Sequence, residues 1–168
     1  MTTTTTPGRL TADAPSGTVV FLIGARFNRL RRPRSWWPVL TAMPRMLAEL
    51  QRHPELGLLS AQLFRSGRTV LVLQYWRSAD DLDRYARAGD HAHLPAWREF
   101  NRRVRDNGDV GIFHETYVAD RHETVYVGMP ASFGLGGATS LVPVARRGQG
   151  AAHRLDPSVP DEAAVAPY

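Results

Sequence analysis

Six histidines and 16 acidic residues are the groups in this chain that could ligate a metal or move a proton, and two triplets group them identically: His114-Glu115-Thr116 and His122-Glu123-Thr124. If the two segments are strands, alternation sends His114 and Thr116 one way and Glu115 the other, so one triplet cannot chelate a single ion. The helical HExxH arrangement, which sets two imidazoles on one face, is missing. With no cysteine there is neither a thiolate metal site nor thiol chemistry. The segments are therefore expected to be two strands, IFHETYV and HETVYV, turning at Ala119-Asp120-Arg121, with no metal site. His114 is a candidate pocket base set in a strand wall.

His93 is the second titratable candidate. Leu82, Tyr85, Gly89, His93, Trp97, Phe100 and Val104 follow one another at spacings of three and four, a single helical stripe, while His91 falls on the far side. On such a stripe His93 is either a core histidine bonded to a carbonyl or a pocket base or ligand; a neutral imidazole suits proton abstraction or iron ligation. Trp76, Tyr85, Trp97 and Phe113 are the aromatic candidates for a substrate-binding wall, and Arg26 for holding an anionic oxygen.

All 21 basic residues are arginine, against 16 acidic ones, for a net charge of +5. Arg26, Arg29, Arg31, Arg32 and Arg34 crowd into RFNRLRRPR, which reads as an anion contact or as a solvated strand-to-helix connection. Without an interleaved stacking surface, no nucleic-acid partner is expected. No apolar run approaches the roughly 18 residues of a span, so no membrane partner is expected. MTTTTTPGRL lacks the features of a secretion signal, and a cytoplasmic protein is expected.

The elements that must position these groups follow from periodicity. TVVFLIGARF, from Thr18, is a strand apolar on both faces. Trp36, Leu40, Met43, Leu47 and Leu50 make the stripe of a helix opened at Ser35 and ended by His53-Pro54 and Gly57, with Pro44 expected to kink it. GLLSAQLFR and RTVLVLQYW form a hairpin across Ser66-Gly67. Ser78 and Asp81 open a second helix, and VGIFHETYV (110–118) is a fourth strand. Strand, helix, strand, strand, helix, strand is the βαββαβ pattern of an α+β, ferredoxin-like fold. Two helices cover one sheet face only, so the apolar second face calls for a second copy, giving a homodimer with an enclosed apolar space. Residues 1–16 are expected as a disordered tail, 17–145 as the domain and 146–168 as a flexible tail.

Longer stretches are distinctive. VVFLIGARFNRL, WWPVLTAMPRMLAEL, YWRSADDLDRYA, HLPAWREFN, GIFHETYV and ETVYVGMPASFGLGGAT, spanning about residues 18–145, closely resemble a monooxygenase-like family related to the antibiotic-biosynthesis monooxygenases. The resemblance implies a dimeric α/β barrel and a monooxygenase acting on a hydrophobic metabolite and dioxygen in specialised metabolism. It implies a catalyst without metal or flavin, with His93 or His114 as base and Asn28 and Arg26 stabilising the oxyanion. FNRL is also similar to haem-degrading barrels, which implies a pocket-facing Asn28 and, as the alternative, haem ligated by His93. A third reading is a non-catalytic binder of the same shape.

Overall fold

A computed structural model of the chain describes residues 7–88 and 107–163. Its first element lies where composition predicted disorder: β1 (Arg9–Ala12) is a strand with Ala12 fully buried. Four residues with alternating polarity are too few to register as a periodic pattern; their pairing partners are more than a hundred residues away. From β2 (Thr18–Phe27) onward the order follows expectation: α1 (Pro33–Arg52), a 3-10 turn (Pro54–Leu56), β3 (Leu58–Ser66), β4 (Thr69–Trp76), α2 (Ala79–Arg87) and β5 (Val110–Ala119). Then come β6 (Tyr126–Val127), α3 (Gly134–Ala138), β7 (Leu141–Pro143), a second 3-10 turn and α4 (Ala151–Leu155). By internal contacts the chain divides into two units, 19–118 and a second made of 1–18 with 119–168. This division differs from the expected single domain over 17–145.

In the unit of 19–118 the sheet order is β3-β4-β2-β5. β2 and β4 run antiparallel from Val19↔Trp76 to Arg26↔Thr69. β3 and β4 are a hairpin whose turn needs the positive φ of 55° at Gly67. Val19 and Trp76 are buried on one sheet face with Leu50 of α1 and Tyr85 of α2, so both helices cover that face. A second cluster, Ala25, Phe27 and Val110, packs with Trp36 and Val39 of α1 on the same face. Alternation then assigns Val20, Leu22 and Gly24 of β2, and Leu71, Leu73 and Tyr75 of β4, to the other face. There Phe113 of β5 lies over Gly24, where a Cβ would meet its ring at 2.5 Å. Only glycine at position 24 admits that ring.

Buried carboxylates fix the connections. Asp109, 1% exposed, accepts a hydrogen bond from Ser35 Oγ at 2.8 Å and pairs with Arg29 and Arg32. Its backbone carbonyl also accepts from the Asn28 and Arg29 amides, tying the start of α1 to the start of β5. At α2 the expected cap is present: Ser78 Oγ accepts from the Asp81 amide at 3.1 Å. The Asp81 carboxylate is gripped by Arg77 at 2.7 Å and Arg84 at 2.9 Å, and the bond from Arg77 holds its pKa below the ordinary carboxylate range. It also presses on Gly57, whose φ of 94° ends the 3-10 turn. α1 runs unbroken through Pro38 and Pro44.

The other unit is a small antiparallel sheet of order β6-β1-β7. The second His-Glu-Thr triplet precedes β6 and is not a strand, which corrects the expected hairpin through Ala119-Asp120-Arg121. β6 pairs with β1 instead. The expected flexible tail from 146 contains α4, whose Arg154 is 4% exposed. Its guanidinium donates to Glu123 Oε1 and to the carbonyls of Gly148 and Gln149, which ties the tail to the second triplet.

Candidate functional site

Among the described residues the helix-covered face of the 19–118 sheet is not filled evenly. Its two buried clusters lie at opposite ends, one around Val19 and Trp76 and the other around Ala25 and Phe27. On β2 the intervening side chains are Phe21 and Ile23, and the equivalent stretch of β5 is Ile112 to His114; Phe21, Ile23 and Ile112 are only half-buried. Val110 and Ile112 pack on the helix side, so His114, two residues further along β5, faces the same way. Its imidazole sits 5.9 Å from the Phe21 ring. No hydrogen bond from a described residue engages either ring nitrogen. An imidazole so placed, on an apolar wall and with neither nitrogen bonded to a described residue, can accept a proton from a bound substrate or ligate an iron.

The other residues expected in the site do not gather around it. Phe113 projects from the opposite sheet face, because it is next to His114 in a strand. Arg26 shares that opposite face and reaches only Thr69 Oγ1, at 3.4 Å. Asn28 lies past the end of β2, and its Nδ2 donates to the Gly108 carbonyl at 3.1 Å, which ties two loops together. These positions set the Arg26 and Asn28 side chains apart from His114.

Trp76 and Tyr85, expected as substrate-binding aromatics, are core. Trp76 is 1% exposed, its ring 5.7 Å from that of Tyr85, and its indole Nε1 donates to Gln74 Oε1 at 2.8 Å. The Tyr85 hydroxyl donates to Glu49 Oε2 at 3.0 Å; burial, then the Glu49 carboxylate, push its pKa above the ordinary phenol value. A buried phenol held in that way is a packing group. His93 and Trp97 lie outside the described residues.

The side chains of the second triplet are engaged within their own unit. His122 Nε2 accepts from Arg147 Nη1 at 2.7 Å, Glu123 pairs with Arg154, and Thr124 Oγ1 accepts from the Ala12 amide at 2.8 Å. Among the described residues no group of three or more His, Asp or Glu is placed to hold a metal ion. Sequence reasoning missed Asp109, Gln74 and the Glu123–Arg154 pair. Asp109 and the Glu123–Arg154 pair are held by distant partners that neither spacing nor composition signals, whereas Gln74 is held by Trp76 two residues along the same face of β4.

A four-stranded sheet of order β3-β4-β2-β5, with both helices on one face, defines a ferredoxin-like α+β domain. Within that class the chain belongs to the Monooxygenase af470-like family, whose sequence model matches residues 18–135. It is 33% identical over 85 residues to Monooxygenase af470 of Aspergillus fumigatus, a match covering 46% of this chain and 30% of that protein. Among solved structures it resembles an aldoxime dehydratase in complex with butyraldoxime, at a TM-score of 0.63 and 18% identity, over 77% of this chain and 39% of that one. SnoaB, a cofactor-independent oxygenase from Streptomyces nogalater, overlays at a TM-score of 0.46 and 15% identity, over 64% of this chain and 97% of its own. The chain thus spans less than a third of the curated relative and about two-fifths of the aldoxime dehydratase.

Proposed function

We propose that this protein is a monooxygenase that oxidises a hydrophobic small molecule, working without metal or flavin and using His114 as the base. Membership of a monooxygenase-like family supports the reaction class. The observation that carries the assignment is the His114 imidazole beside Phe21, unbonded by any described residue, on an apolar wall between two packed clusters. The half-buried Phe21, Ile23 and Ile112 offer a bound ring system apolar contact. The substrate is then an activated C–H acid. His114 removes its proton, the carbanion gives one electron to dioxygen, and recombination forms a carbon–oxygen bond. Loss of water from the resulting hydroperoxide leaves a carbonyl, so dioxygen supplies one oxygen atom to product and one to water. His93 remains a proposed second participant, with Trp97 as a further wall residue.

The same imidazole, unbonded by any described residue, supports one alternative, haem binding, in which His114 or His93 would hold the iron and the haem would supply the oxygen chemistry. An absorption spectrum and an oxygen-electrode assay with an anthrone decide between them. Chelator-insensitive oxygen uptake by colourless protein, lost in His114→Ala, supports the first reading. A stoichiometric Soret band that depends on a histidine overturns it.

We further propose that the open sheet face, carrying Leu22, Leu73, Phe64 and Phe113, is covered by a second copy, and that the protein works in the cytoplasm. Light scattering at low concentration should give twice the chain mass; a stable monomer overturns the dimer.

A further inference from the structure

The arginine cluster after β2 separates into two pairs. Arg29 and Arg32 are committed to the buried Asp109. Arg31 and Arg34 are exposed and have no ion-pair partner among the described residues. Beside them the surface is apolar: Leu30 is 49% exposed, Trp37 58% and Leu40 38%. Helical spacing gathers the group, since Arg34, Trp37 and Leu40 are three residues apart along the first turns of α1. Trp36 packs inward against the Ala25–Phe27 cluster, which leaves its neighbour Trp37 directed outward. The first turn of α1 has no acidic residue, so the positive end of the helix dipole adds to the arginines.

Unpaired like charges beside a large exposed indole and two leucines mark a surface with a partner. The occupant has to offer negative charge at one level and apolar volume just beneath it. Nucleic acid has no apolar depth for Leu30 and Leu40. An acidic peptide would answer the charge, but it offers no apolar volume to the Trp37 indole, which stays 58% exposed although its ring lies 6.0 Å from that of Trp36. An anionic lipid surface meets every demand: headgroup phosphates for Arg31 and Arg34, the interfacial layer for the indole and acyl chains for the leucines.

We propose that Leu30, Arg31, Arg34, Trp37 and Leu40, at the N-terminal corner of α1, dock this protein peripherally on an anionic lipid surface. No described helix is long and apolar enough to cross a membrane. The expectation of no membrane partner rested on the missing span and did not consider a surface contact, which depends on side-chain exposure. A hydrophobic substrate dissolved in the bilayer would then be concentrated at the protein.

Sedimentation of the full-length protein with phosphatidylcholine vesicles, with and without phosphatidylserine, tests this. Binding is expected only with phosphatidylserine and is expected to fade at about 1 M salt, where screening shortens to ~3 Å. Arg31→Gln with Arg34→Gln should weaken binding about thirtyfold, roughly fivefold per charge. Trp37→Ala should weaken it as well and reduce fluorescence quenching by brominated acyl chains. All these side chains are outside the candidate site and the Asp109 pairs, so thermal melting should not change for the arginine variants and should fall only slightly for Trp37→Ala, whose ring lies 6.0 Å from that of Trp36. Equal binding to both vesicle types overturns the proposal. Binding that needs the arginines but ignores Trp37→Ala also overturns it, and points to a soluble acidic partner.

Discussion

The tripeptide His-Glu-Thr occurs at 114–116 and again at 122–124, and its side chains do different things in the two places. In β5 the triplet is displayed: among the described residues His114 stands beside Phe21 without a hydrogen bond, Glu115 accepts from the Tyr117 hydroxyl at 2.7 Å, and Thr116 is exposed. At 122–124 each side chain is consumed by a separate segment. His122 takes Arg147, Glu123 takes Arg154, and Thr124 takes the Ala12 amide and the Thr11 hydroxyl at 3.1 Å. An exposed stretch of strand leaves its side chains available to a ligand, whereas a loop hemmed in by β1 and α4 uses the same side chains as structural ties. Residue identity therefore says little about role until the neighbours are known.

The glutamates should show the largest difference. Glu123→Ala strands Arg154 in a nearly dry site and should cost about 3 kcal/mol in chemical denaturation, whereas Glu115→Ala should stay within about 0.5 kcal/mol. Equal losses would break the comparison. The histidines should differ in kind. His114→Ala should lower turnover about a hundredfold with melting unchanged. His122→Ala should keep turnover and metal content and lose about 1 kcal/mol of stability, because Arg147 gives up an acceptor. A matching loss of activity in both variants would show that the triplets act together.

The threonines sharpen the contrast on a smaller scale. Thr124→Val removes the acceptor for the buried Ala12 amide and should cost about 1 kcal/mol, while Thr116→Val should cost almost nothing. The smallest effect is a titration. The Glu115 carboxylate, by accepting the Tyr117 hydroxyl proton and by its charge, raises the Tyr117 pKa above the ordinary phenol value. Glu115→Gln removes the charge, so in a spectrophotometric difference titration one tyrosine should ionise at lower pH than in the parent. No change would mean that the pair does not form in solution.

Much of the 19–118 unit could be read directly from the chain. The doubly apolar run at Thr18–Phe27, the Ser78–Asp81 cap and the Gly67 turn are local patterns, and each is found close to where it was expected. The candidate site was legible only in part. His114 has the expected strand setting, but its supposed companions Arg26 and Phe113 belong to the opposite sheet face, and Trp76 and Tyr85 to the core. Alternation along β5 already separated His114 from Phe113. What it could not say was which face the helices would cover.

The sequence by itself determined the order of the strands in the 19–118 unit and of the described helices between them, the ferredoxin-like class and the family. Those depend on periods of two and of 3.6 residues and on turn chemistry, all of which act over a few residues. Tertiary structure alone decided that Arg9–Ala12 is a strand, that Asp109 anchors two of the clustered arginines and that the second triplet binds Arg147, Arg154 and Ala12. Each of those outcomes depends on partners 25 or more residues away, and for β1 and Thr124 the separation exceeds a hundred. Burial at that range is set by packing, since a carboxylate or amide removed from water must find its counterpart wherever the fold brings one.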